Sequence, residues 1–212
     1  IIVEIDKVVE EIRKDLPKGL EIVDLMSTKD FLDESIKNVL MTLLEAILLV
    51  ILVVYLFLHS FRSTIIPTLS IIVSLLGTFA FLMVAGFSLN MITLFALVLV
   101  IGTVVDNSIV VVEGVQAKFD IGYKSPYKAT VDAMNELTTA LIATTFVFMA
   151  VFIPVSFMGG TTGVFYKQFG LTMAVAVGIS LINSLTLSPA LCALLMHPPK
   201  ENGEEKESFS QR

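Results

Sequence analysis

TIIPTLSIIVSLLGTFAFLMVAGFSLNMITLFALVLVIGTVV, residues 64–105, contains forty-two side chains and no charge. Wound as a single α-helix it would reach about 63 Å at 1.5 Å per residue, twice the ~30 Å hydrocarbon core of a bilayer. The stretch therefore folds into two membrane spans, and AGFSLN at 85–90, with Gly86, Ser88 and Asn90, supplies the turn between them. The run ends on a carboxylate: Asp106 opens DNSIVVVEG with no break in the apolar texture on either side.

The rest of the chain has the same character. Hydrophobic residues make up 55% of the 212 and charged ones 16%, more apolar surface than a soluble domain of this size can hide, so the class is integral membrane protein. The formal charge of −6 comes mostly from the two ends and says little about partners, and no basic patch of the kind nucleic acid requires is present. Cys192 is the single cysteine. It can form no internal disulfide or metal site and reads as a small apolar filler.

Five runs are long enough to cross a bilayer: about 35–58, 64–84, 91–114, 137–157 and 166–196. The fold class is thus an all-α membrane bundle of five transmembrane helices. HSFRS at 59–63 and MGGTTG at 158–163 supply further turns, and Pro67 and Pro154 kink spans near their ends. The polar connection 116–136, with Phe119, Ile121 and Tyr123, reads as an interfacial segment on the cytoplasmic side. Residues 198–212 form a polar cytoplasmic tail. At the other end, residues 1–16 place Ile2, Ile5, Val8, Val9 and Ile12 on one helical face; PKG at 17–19 stops that helix, and LEIVDLM at 20–26 alternates in part like a strand. A lone helix and strand have nothing to pack on. Residues 1–34 therefore read as a short α+β remnant of a soluble domain whose remainder lies upstream of Ile1, and the chain as a fragment of a longer protein.

Lys and Arg in short loops set the orientation. Arg62, Lys118, Lys124, Lys128 and Lys200 lie on one side, and Lys37 and Lys167 on the other. The richer side is cytoplasmic, so the amino-terminal segment and the loops at 85–90 and 158–167 face outward.

Three acidic residues stand within the spans: Glu45, Asp106 and Glu113. Each costs about 3 kcal/mol at mid-membrane on an insertion scale, so each marks a candidate site. Asp106 is the deepest. A carboxyl there that gains and loses a proton is what a proton-driven machine needs. Gly102, one turn earlier, leaves room for a partner side chain or water from another helix. The plainer alternative is a carboxylate neutralised by a structural Lys or Arg, and the other four spans contain none away from their outer ends, where Lys37 and Lys167 stand. Asn107 cannot titrate and is suited to hydrogen bonding across helices. Glu113, seven residues on, nearly shares the face of Asp106 but lies near the cytoplasmic boundary, where a solvated helix end explains it equally. Glu45 fits either a helix-packing hydrogen bond or an ion route, Asn183 reads as interhelical glue, and His197 as an interface residue. The glycines of FMGGTTGVFYKQFG, 157–170, lack phosphate-loop spacing, so no ATP site is visible and the segment reads as a tight outer hairpin.

VVDNSIVVVEGV (104–115), YLFLHSFRSTIIPTLSIIVSLLGTF (55–79), FSLNMITLFALVLVIG (87–102), VFIPVSFMGGTTGVFYKQF (151–169) and LTLSPALCALLM (185–196) together resemble the resistance-nodulation-division superfamily. Within it they are similar to the hydrophobe/amphiphile multidrug efflux permeases. The resemblance covers nearly the whole chain and corresponds to the end of the first periplasmic porter region and transmembrane helices two to six of the first half. It implies a bacterial inner-membrane homotrimer that exports drugs or amphiphilic small molecules by proton antiport, with a periplasmic adaptor and an outer-membrane channel, and with no cofactor. It implies that substrate binds mostly in the porter domain, outside this segment. In the family the fourth helix carries adjacent aspartates as a proton relay. The first matches Asp106; the second matches Asn107, a departure that puts proton stoichiometry in doubt. The basic and hydroxyl relay partners belong to the second half of the family's chain, so this segment alone is not expected to transport.

Other readings compete. Metal-ion exporters of the same superfamily would show Met or acidic ligands along the helices, and the nine Met residues here do not cluster. Lipid exporters and non-transporting assembly or translocation subunits share the helical core. An ion channel would need a carbonyl filter or a ring of acids, and neither motif is present.

Overall fold

A computed structural model describes residues 28–87, 90–160 and 162–198, preceded by isolated positions between 8 and 17. Among the described residues from 28 onward six helices follow one another: α1 Thr28–Leu58, α2 Phe61–Val84, α3 Met91–Asp120, α4 Pro126–Val155, α5 Gly163–Leu185 and α6 Leu187–Leu195. Five segments are long and apolar enough to cross a membrane, α5 and α6 together making the fifth. The expected strand at 20–26 and the polar tail from 199 lie outside the described residues. Of the expected amino-terminal helix, Val8, Val9, Glu11, Ile12 and Lys14 are helical.

The helix ends follow from local chemistry. Ser60 caps α2 through its hydroxyl on the Ser63 amide. Asn90 caps α3 in a full capping box: its Oδ1 accepts from the Ile92 and Thr93 amides, and the Thr93 hydroxyl accepts from the Asn90 amide. At the other end of α3, Gly122 adopts φ +100° and the chain turns back on bonds from Gly122 N to Phe119 O and from Tyr123 N to Lys118 O. Ser125 then caps α4, with Pro126 in its first turn.

Two boundaries differ from the sequence reading. The polar segment 116–136, expected as a connection between spans, is mostly helical. Only 121–125 is non-helical, because α3 and α4 continue as helix beyond their apolar runs; each has 30 residues, about 45 Å. The Lys118–Glu136 ion pair (2.6 Å) and the Tyr123–Asp132 hydrogen bond (2.8 Å) tie these extensions together. The Asp132 carboxylate holds the Tyr123 hydroxyl above the usual phenol range. The last span, read as one run, breaks at Thr186 (φ −121°, ψ −65°). Pro189 has no N–H to offer the carbonyl of Leu185, and its ring crowds that carbonyl, so the helix restarts at Leu187.

Helix α3 is the axis of the bundle. It packs against α1, α2, α4, α5 and α6. Its residues Leu97, Val100, Ile101, Val104 and Val105 form one core with Ile71 and Leu75 of α2 and Met173, Ala176 and Val177 of α5; Val111, Val112, Val115 and Phe119 form a second with Ile66, Ala129, Ala133, Leu141 and Cys192. By contrast α1 packs mainly against α2 and α3, and little of its apolar run is buried. Glycine sets the closest approach: a Cβ at Gly170 on α5 would lie 2.5 Å from Ser156 Oγ and 2.8 Å from the Phe152 carbonyl at the end of α4. At Gly102 a Cβ would meet nothing within 4 Å.

The two glycines should therefore respond oppositely. Gly170→Ala is expected to cost about 1–3 kcal/mol by overpacking, whereas Gly102→Ala should gain about 0.5–1 kcal/mol of helix propensity. Thermal unfolding of detergent-solubilised protein followed by circular dichroism checks this; equal midpoints for the two variants would refute the α4–α5 contact.

Candidate functional site

Residues 104 and 108 face the core of α3, and Asp106 lies two residues from each, about 200° round the helix from both. Its side chain consequently leaves the core. It lines an open groove of about 180 Å³ between α1 and α3, with Leu49, Val50, Val53, Val54, Gly102, Val105 and Ile109. Asp106 is deep along the span yet exposed on the surface of this chain. Among the described residues no Lys, Arg or hydroxyl bonds its carboxylate.

Glu113 lies further along the same seam. A second groove, about 250 Å³, is lined by Glu113 with Val53, Val54, Phe57, Leu58 and Ile109. Val53, Val54 and Ile109 are shared, so one apolar surface carries both carboxylates in line, as their seven-residue spacing predicts. Gly102 widens the end beside Asp106. Glu45 is not brought to either groove. It stands exposed on α1 and, among the described residues, forms no hydrogen bond or ion pair.

Asn107 takes a different direction from its neighbour. Its Nδ2 donates to Ser180 Oγ on α5 at 3.4 Å, and that hydroxyl donates to the Val104 carbonyl at 3.3 Å. This bond belongs to a polar seam that sequence reasoning largely missed. Ser108 Oγ donates to Ser70 Oγ at 2.7 Å and accepts from Ser188 Oγ at 3.4 Å, joining α3 to α2 and α6. Asn183 Nδ2 donates to Ser74 Oγ at 2.8 Å, joining α5 to α2. All these serines are buried. The signal was present in the four-residue spacing of Ser70, Ser74 and Thr78, and of Ser180, Ser184 and Ser188, each of which places hydroxyls on one helical stripe. At the outer end Asn90 Nδ2 donates to Gln168 Oε1 at 2.5 Å, pinning the start of α3 to α5. His197 lies at the opposite end, its Nδ1 3.4 Å from Arg62 Nη1.

The arrangement gives α3 two chemically distinct sides. One is apolar and hydroxyl-bearing, satisfied within the bundle and free of charge. The other presents a carboxyl group to an apolar channel open along its length. The first can hold α3 in place; the second can hold a proton, or receive a cationic or hydrogen-bonding partner from outside this chain.

Comparison with known proteins gives a consistent picture. The model of the AcrB/AcrD/AcrF family matches residues 1–212. The chain is 41% identical over 206 residues to the solvent-resistant pump membrane transporter SrpB of Pseudomonas putida, covering 97% of this chain and 20% of that protein. It is 44% identical over 200 residues to the multidrug export protein AcrF of Escherichia coli, covering 94% and 19% respectively. With the toluene efflux pump membrane transporter TtgB of Pseudomonas putida it shares 45% identity over 185 residues, 87% of this chain and 18% of that protein. The chain thus spans about a fifth of the length of these relatives.

The Asn183–Ser74 bond should show as a coupling energy of about 0.6 kcal/mol, the mean for hydrogen bonds between membrane helices. A double-mutant cycle of Asn183→Val and Ser74→Ala, read by unfolding in mixed micelles, measures it, and additive effects would refute the bond.

Proposed function

The chain belongs to the AcrB/AcrD/AcrF family, and on that premise we propose that it is the membrane portion of a proton-driven efflux permease in which Asp106 carries the proton. The observation that carries this reading is the placement of Asp106. It stands near the midpoint of α3, set in an apolar seam and unpartnered among the described residues. A neutral acid is accommodated by such a surface. A carboxylate there demands a counter-charge, because an isolated ion in a low-dielectric setting is strongly penalised. Protonation therefore changes what can pack against the α1–α3 seam, and the counter-charge must come from the remainder of the longer protein. A packing surface that alternates between two partners with proton occupancy is a means of coupling proton flow to movement.

Asn107 supports the coupling without titrating. Its bond to Ser180 ties the turn that bears Asp106 to α5, so a change at the carboxylate is felt by the core. Glu113, nearer the end of the span on the same seam, is an entry or exit point for protons on the cytoplasmic side. Glu45 has no partner role in this reading. The exported compounds are amphiphilic small molecules bound mainly in a periplasmic porter domain beyond this segment. The permease works as an inner-membrane homotrimer with a periplasmic adaptor and an outer-membrane channel. The amino-terminal end of α1 and the α2–α3 and α4–α5 loops face the periplasm. Export is secondary active transport by proton antiport, with no cofactor.

Asp106→Asn in the full-length permease is expected to reduce energised efflux to background while trimer assembly, read by size-exclusion chromatography, is unchanged. Glu113→Gln should retain most efflux. Proton-gradient-driven dye export from proteoliposomes distinguishes the cases; full export by Asp106→Asn would sink the proposal.

A further inference from the structure

On the far side of the bundle from Asp106, a cavity of about 430 Å³ opens between α4 and α6. That volume falls within the ~300–1,000 Å³ range of small-molecule sites. On α4 its wall runs from Tyr127 to Thr138, a stripe at helical spacing about 17 Å long. On α6 the opposing wall includes Pro189, Ala190 and Ala193, whose small side chains leave the space between the helices unfilled. The groove runs along the helix axes, from the polar first turns of α4 to the apolar run that begins at Leu137.

Its polar groups are distributed unevenly. The hydroxyls of Thr130 and Thr138 are engaged by their own helix, on the Pro126 carbonyl at 2.9 Å and the Met134 carbonyl at 2.6 Å. Tyr127 and Asn135 line the cavity with no hydrogen bond to another described residue, and Lys128 stands exposed beside its polar end. No acidic residue lines it. The acids nearby in sequence are committed elsewhere: Asp120 accepts from Gln116, Asp132 from Tyr123, and Glu136 from Lys118. A groove with available donors and a cation where the helices leave the hydrocarbon, and an apolar wall leading inward, is complementary to an anionic amphiphile oriented along the bilayer normal.

We propose that the α4–α6 groove binds one anionic glycerophospholipid of the adjacent leaflet, its phosphate at Lys128 and Tyr127 and one acyl chain along Ala193 and Ala190. The site is independent of the proton role assigned to Asp106. Lipid is the fitting occupant because the Lys128 cation and the Tyr127 hydroxyl stand at the boundary end, the α6 wall leading inward is small and apolar, and no acid lines the groove.

The test uses the full-length permease in vesicles of phosphatidylcholine doped with phosphatidylglycerol that carries a diazirine in its acyl chain. After photolysis, adducts at Ala190 and Ala193 are compared by peptide mapping with those at Val147, which is exposed on α4. The groove residues should be labelled in excess. Lys128→Glu, which removes one positive charge and adds a negative one, should lower that labelling at least about fivefold, the order expected for loss of one basic residue near the headgroups, and leave Val147 labelling unchanged. Ala190→Phe should abolish groove labelling; if that variant fails to assemble, the surface substitution at Lys128 decides alone. Groove labelling no greater than at Val147, or equal with a phosphatidylcholine probe and insensitive to Lys128→Glu, means bulk lipid only and overturns the proposal. Labelling at Val147 with none at Ala190 means another part of the protein fills the groove and overturns it equally.

Discussion

Hydrocarbon offers no hydrogen-bond partner, and nearly every feature of this bundle answers to that fact. Within the apolar runs the backbone must satisfy itself, so the spans are helices and their ends carry explicit caps from Ser60, Asn90 and Ser125. The same rule governs side chains. Thr68, Thr78, Thr138, Thr172 and Thr186 each donate to the carbonyl four residues back, so a hydroxyl can sit in the membrane without an external partner. Pro189 removes a backbone donor in the last span, and the helix responds by stopping and restarting.

Several polar groups that are not satisfied locally find each other across helices, although the buried hydroxyls of Thr145 and Ser184 have no partner among the described residues. Ser70, Ser108 and Ser188 link three helices, and Asn183 and Ser74 link two. Each bond is worth well under about 2 kcal/mol in a membrane, so the seam does not stabilise the bundle by brute strength. It fixes register instead: a one-residue slip of α3 would strand Ser108 among aliphatic side chains, at the cost of an unsatisfied buried group. Tight glycine contacts, as at Gly170 against α4, impose the same discipline by sterics. A well-registered α3 is the condition for presenting Asp106 at a defined point on the opposite side.

That division of α3 resolves an apparent paradox. The residue most expensive to insert is not the one most enclosed by the chain. Depth along the span and burial among neighbours are separate quantities: the first sets the cost of charge, the second determines which partners can reach it. Asp106 combines great depth with an open flank lined by Val53, Val54 and Ile109, and so differs from a structural carboxylate locked in an internal ion pair.

Much of this was legible from residue order. The uncharged run 64–105 demanded two spans, five helices followed from length and hydropathy, and the lone acids stood out because hydrocarbon makes them conspicuous. The spacing of Asp106 and Glu113 placed them on one seam. Less legible were the polar helical extensions around 116–136, because a helix in water and a polar connection share a composition, and the break at Thr186, because apolar texture continues through it. The Ser70–Ser108–Ser188 cluster escaped because serine is cheap in any environment and its partners lie on other helices. Thus the sequence by itself determined that the chain crosses a membrane, how many times, and which side chains are costly there, since these depend on transfer from water and on helical rise alone. Only the tertiary structure decided that Asp106 faces outward while Asn107 and Ser108 face in, because that depends on which side of α3 its neighbours occupy, and no periodicity within one helix specifies its partners.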